Sequence, residues 1–198
     1  VLGIATAALV GVDSSARAAS ADCTPSANWG TLRTDYADQV VALVNEHRVS
    51  LGLVPLKTST ALRDASVWKA RHMAAYGYMA HDDPAPPIAR AWYQRVQACG
   101  YTRGGYGENI AYGYPSPQSV MNGWLNSPGH RANIENASYR VLGVGAASSI
   151  RRTNAPSKEV WGLKCEVRGG GLWSAVPELP RPTLDAPRRS RVRRTRQS

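Results

Sequence analysis

Phenylalanine is absent from these 198 residues, and so is any apolar run long enough to cross a bilayer. The apolar stretch VLGIATAALVGV at residues 1–12 is too short to span one. Without phenylalanine, ring packing falls to six tryptophans and nine tyrosines, residues that carry a polar tip into whatever they line. Lysine is scarce, four against twenty arginines, and there are only four histidines and three cysteines. The chain has no HExxH sequence, no phosphate-binding glycine loop, no nucleophile elbow and no Cys–His pair near a helix start. It has no internal repeat. It also lacks the alternation of aromatic and basic residues that single-stranded nucleic-acid platforms use, so no nucleic-acid partner is expected.

What is present describes an exported globular chain. Hydrophobic residues make up 43% and charged residues 19%, a globular balance. The apolar start is followed by Ala16-Arg17-Ala18, a small-x-small cleavage pattern. Residues 1–18 therefore read as a signal-peptide remnant, and the mature chain as secreted. The 180 residues that remain suit one domain with its own core, and a monomer is expected. The net charge of +10 is uneven. Residues 181–198 hold seven Arg and one Asp, and residues 169–198 are expected to be a disordered basic tail. Three cysteines in an oxidising compartment imply one disulfide and one cysteine left over. Cys99 and Cys165 fall inside the expected folded region while Cys23 sits in an expected linker, 19–34. Cys99–Cys165 is therefore the expected pair.

Helical spacing places Val40, Leu43, Val44 and His47 on one face of residues 35–50, with Gly52 as a stop. Residues 60–76 repeat it with Leu62, Ala65, Trp68, His72, Met73 and Tyr76, stopped by Gly77. A third helix is expected after Pro86-Pro87, carrying Ile88, Trp92 and Val96. A fourth starts with Ser116 as cap and Pro117 in its first turn. Strands are expected at 109–112, 141–147 and 158–167, with a hairpin loop at 148–157. Helices preceding paired strands make an α+β plan.

Three segments hold the chemistry: Met79-Ala80-His81, Gly107-Glu108-Asn109-Ile110-Ala111, and Ser127-Pro128-Gly129-His130-Arg131-Ala132-Asn133 after Trp124. Each places an ionisable residue beside turn or helix-end residues. Together with Val44-Asn45-Glu46-His47-Arg48 and Gly143-Val144-Gly145, they resemble the CAP superfamily. That is the cysteine-rich secretory protein, antigen 5 and pathogenesis-related 1 group (SCP domains), in its small bacterial form. The resemblance runs from about Val40 to Val167, within a domain expected over 35–168. It implies a three-layer α–β–α sandwich with a central antiparallel sheet. It also implies a cleft in which His81, Glu108 and His130 converge, with Asn109 and Ser127 as further lining. In relatives that bind a divalent ion, the two histidines are its ligands, so zinc is the cofactor the resemblance suggests. The family's second acidic residue follows the tryptophan. Here Asn126 or Ser127 stands at that place.

Each residue also has a plainer reading. His81 could cap a helix end beside Asp82-Asp83, Glu108 could be a solvated strand carboxylate, and His72 reads as a satisfied core histidine. His47 reads as a helix-packing residue with Glu46 nearby. Ser127, before Pro128, reads as a turn or cap residue rather than a nucleophile. Tyr112, Tyr114 and Trp92 read first as core and second as groove lining. Two function classes follow. One is a secreted binding module for a lipid, a cell-wall glycan or a protein. The other is a divalent-metal-dependent hydrolase built on the same three residues.

Overall fold

Strand β4 organises the molecule, because its two faces differ in kind. A computed structural model describes residues 21–102, 104–149 and 159–167. The elements are β1 (Thr31–Leu32), α1 (Thr34–Ser50), β2 (Lys57–Thr58), α2 (Thr60–Tyr76), α3 (Trp92–Ala98), β3 (Gly105–Tyr112), α4 (Pro117–Leu125), α5 (Pro128–Ile134), β4 (Tyr139–Ser148) and β5 (Glu159–Val167). The expected signal segment, the 148–157 loop after Ser149 and the basic tail lie outside the described residues.

Along β4, Leu142, Val144 and Ala146 join Val40, Val44, Val120, Trp124 and Trp161 in one core. The alternate positions, Gly143, Gly145 and Ala147, face α2. A side chain at Gly143 would overlap the backbone of Leu62 and Arg63, and one at Gly145 that of Ser66 and Val67. The glycines let α2 lie directly on the strand, and the Ser66 hydroxyl donates to the Gly143 carbonyl at 2.9 Å. So α2 covers one face of the sheet, while α1, α4 and α5 cover the other. This is the α–β–α sandwich expected from the sequence. The main sheet runs β1-β4-β5-β3 and is antiparallel, and β2 adds to β4 in parallel.

Local signals set several boundaries. Ser59 caps α2 through its hydroxyl, and Gly77 ends it with a left-handed backbone at φ 68°. Ser116 caps α4 and Pro117 opens it. Two boundaries differ from expectation by four residues. Residues 88–91 are not helical, because Asp83 and Arg90 pair their backbones and close the 83–90 loop. Helix α3 therefore starts only at Trp92, whose N–H donates to the Asp82 carboxylate at 2.9 Å. Strand β3 begins at Gly105 rather than 109, since its whole length pairs with β5.

The expected disulfide is corrected. Cys99 is bonded to Cys23, so it does not pair with Cys165. The expectation failed because the segment after Ala21 is docked against the domain. Cys23 packs with Leu62, Ala65, Val96 and Cys99. Trp29 sits edge-on against Trp68, with ring centroids 5.1 Å apart. Arg71 donates to the carbonyls of Ser26, Ala27 and Trp29. Cys165, on β5, stands in register with Gly107 and Leu142.

Candidate functional site

His81 lies in the loop after α2, and Glu108 lies on β3. Their side chains meet: His81 Nδ1 is 2.9 Å from Glu108 Oε1. Because an ionised carboxylate only accepts, the imidazole nitrogen is the donor, and neutral His81 then carries its lone pair on Nε2. The loop is held from below. Lys69 on α2 donates to the carbonyls of His81 and Asp82 at 2.9 and 3.0 Å.

Beneath His81 lies a buried ionic floor. Arg95 on α3 donates to Glu108 Oε2 at 2.6 Å and also to Asp83. Asp83 further accepts from Lys69 at 3.1 Å and from Arg90 at 2.9 Å. The side chains of Lys69, Asp83 and Arg95 have no solvent exposure, whereas that of His81 retains 15%. Burial, then repulsion from Arg95, pulls the Lys69 ammonium down to about 8, against the opposing pull of Glu108 and Asp83. Burial also opposes the Arg95 guanidinium, but Glu108 and Asp83 outweigh it and hold it above its ordinary value. Arg95 Nε and Arg90 Nη2 are buried with no hydrogen-bond partner among the described residues.

His130 sits on α5 and is fully buried. Its Nδ1 is 2.7 Å from the Ser127 hydroxyl, and its Nε2 has no partner among the described residues. Burial, then the nearby His81, lowers it to about 4, so it is neutral at ordinary pH. Asn109, the residue after Glu108, donates to the His130 carbonyl at 3.0 Å and accepts from Asn133 at 2.9 Å. The β3 motif thus anchors both halves: Glu108 holds His81, and Asn109 holds the backbone of His130. Ser127 gives His130 Nδ1 a hydroxyl partner rather than a carboxylate.

Other sequence candidates have packing tasks. His72 hydrogen-bonds to the Tyr78 hydroxyl at 2.6 Å and the Pro86 carbonyl at 2.8 Å, as a satisfied core histidine should. His47 reaches Glu135 at 2.9 Å, across to the end of α5, rather than the neighbouring Glu46. The Tyr114 ring lies where a side chain at Gly123 would stand, and its carbonyl accepts from Trp161. Trp92 packs edge-on against Tyr106. Lys69, Asp83, Arg90 and Arg95 were not expected at the site. Two of them had a signal: Lys69 follows Leu62 by seven residues on the apolar face of α2, and Arg95 follows Trp92 by three on α3.

The residues present fit a resident divalent metal poorly. Glu108 has one oxygen on His81 and the other on Arg95, so it orients a histidine rather than offering itself as a ligand. Among the described residues, no three His, Cys, Asp or Glu side chains are grouped to hold an ion.

On this sandwich, His81 and Glu108 thus rest on a buried charge network, with His130 near enough for His81 to act on its charge. The chain belongs to the cysteine-rich secretory protein (CAP) family, whose sequence profile matches residues 41–163. It is 33% identical over 114 residues to an uncharacterised Bacillus subtilis protein, YkwD, covering 58% of this chain and 43% of that one. It is 30% identical over 117 residues to an uncharacterised B. subtilis membrane protein, YlbC, covering 59% and 33%. The chain thus spans less than half the length of these curated relatives. Among solved structures, it resembles an extracellular SCP-domain protein of Bacillus anthracis (TM-score 0.56, 24% identity, 69% of this chain and 41% of that one). It also resembles an outer surface protein of Borrelia burgdorferi (TM-score 0.57, 19% identity, 71% and 99%). Among the described residues, no helix is long and apolar enough to cross a membrane.

Proposed function

We propose that this protein is a secreted binding module whose His81–Glu108–His130 cleft engages a lipid, cell-wall or protein ligand. One observation carries the reading. His81 and Glu108 are locked by their neighbours, and the nearby His130 Nε2 is fully buried with no hydrogen-bond partner among the described residues. A buried polar atom without a partner is costly, and a ligand group that satisfies it recovers that cost. Secretion is supported by the apolar start and its cleavage pattern, and by the Cys23–Cys99 bond, which belongs to an oxidising compartment. The names of the solved relatives, an extracellular and an outer-surface protein, point the same way.

A hydrolytic reading has one observation in its favour, the 2.7 Å contact between Ser127 and His130. It is the weaker reading. A base at about 4 removes a hydroxyl proton poorly, and a carboxylate orients His81 rather than His130. The metal-dependent version finds no third ligand grouped with the histidines among the described residues. The test follows the imidazole nitrogens by NMR while lipid extracts and solubilised cell-wall fragments are added. The binding reading expects His81 and His130 signals to shift, and His130→Phe to abolish the shift. Peptide turnover by the wild type that disappears in Ser127→Ala would reverse the ranking.

A further inference from the structure

The floor beneath His81 is unbalanced in charge. It holds three cations, Lys69, Arg90 and Arg95, against two carboxylates, Asp83 and Glu108, leaving one positive charge among the described residues. All five side chains are at most 5% exposed. Asp82, beside Asp83 in the chain, is exposed and already accepts the Trp92 N–H. Two guanidinium nitrogens of the floor are buried without hydrogen-bond partners among the described residues. An uncompensated buried charge is expensive, and in a poorly polarisable interior its field extends to the neighbouring surface. His81 is the one member of this network with substantial exposure, and its own carbonyl lies on the Lys69 ammonium.

From this charge sum and these unpartnered donors, we infer that the ligand group seated over His81 and His130 is an anion, a carboxylate or a phosphate. The inference rests on the binding-module reading and names the chemistry of the ligand. The same positive field works against a divalent cation, which agrees with the poor metal fit of the donor set. An anion over His81 gains from the whole floor without touching Lys69 or Arg95, because those side chains stay covered. Ser127 can donate to His130 Nδ1, which places the neutral ring's proton on the unpartnered Nε2, a donor suited to the same anion.

The test uses the oxidised protein at pH 7 and three probes: dodecyl phosphate, dodecanol at the same chain length, and inorganic phosphate alone. Binding is read at the His81 and His130 imidazole nitrogens. Dodecyl phosphate is expected to bind at least tenfold more tightly than dodecanol. Inorganic phosphate should shift the same signals at higher concentration, which would mark the anion rather than the chain as the recognised part. If inorganic phosphate moves neither imidazole while dodecyl phosphate does, a lipid headgroup is the source and the anion is still required. Equal binding of dodecanol and dodecyl phosphate would overturn the inference and leave the binding module standing. No shift with any probe would count against both. Lys69→Met, close in shape, brings the floor to charge balance. It is expected to reduce the preference for the phosphate to about threefold or less. A merely structural role for Lys69 would weaken both dodecyl ligands equally and leave their ratio unchanged, which would refute the electrostatic account.

Discussion

Replacing Arg95 by methionine tests whether Glu108 is held by charge or only by packing. Methionine keeps much of the apolar stem and removes the guanidinium. Asp83 retains Lys69 and Arg90, whereas Glu108 loses the partner at 2.6 Å. At an effective dielectric of about 20, that contact carries roughly 6 kcal/mol of gross attraction. Much of it offsets the desolvation of the two ions, and breaking one side of such a pair costs about 3–5 kcal/mol. We expect Arg95→Met to lower unfolding stability by that amount, and the melting temperature by roughly 10–15 °C. The assay is urea denaturation followed by tryptophan fluorescence, with the disulfide oxidised. Adding Glu108→Gln to Arg95→Met removes the stranded charge while leaving an oxygen that can accept from His81. The double variant should recover about half of the loss or more. A loss under about 1 kcal/mol, or a double variant no better than the single one, would refute the charge-clamp reasoning.

His130 is held neutral in the fold at about 4, against an ordinary 6.5, so the unfolded chain takes up the proton first. Stability should therefore fall as pH drops from 6.5 to 4, by up to about 3 kcal/mol, and His130→Gln should flatten that part of the profile. The Lys69 ammonium is depressed to about 8, so its burial cost applies in full below that pH and is relieved above it. Unfolding curves should show a stability gain between pH 8 and about 10 that Lys69→Met removes. Gly143→Ala should cost about 3 kcal/mol or more, because the added carbon meets α2 backbone rather than a movable side chain; thermal melting checks this. Non-reducing peptide maps should link Cys23 to Cys99, whose separation of 76 residues predicts a loss of about 4–5 kcal/mol on reduction. A Cys99–Cys165 peptide would contradict the bridge.

What the sequence determined by itself is the part of this protein written in short-range spacing. A serine cap and a left-handed glycine bound α2 within one turn of chain at each end, so its span was legible to the residue. The strand expected at 141–147 is present as β4, two residues earlier and one later. The motifs around His81, Glu108 and His130 were legible because each lies in one continuous segment. Only the tertiary structure decided what those segments do to one another. His81 and Glu108 are 27 residues apart and meet because α2's loop and β3 lie side by side. Cys23 found Cys99 because Trp29 and Arg71 dock the N-terminal segment, a contact that leaves no periodic trace. The floor draws its charges from α2, the following loop, α3 and β3. Ion pairs between elements obey distance in space and no fixed interval along the chain, so its net positive charge could be counted only once the chain had folded.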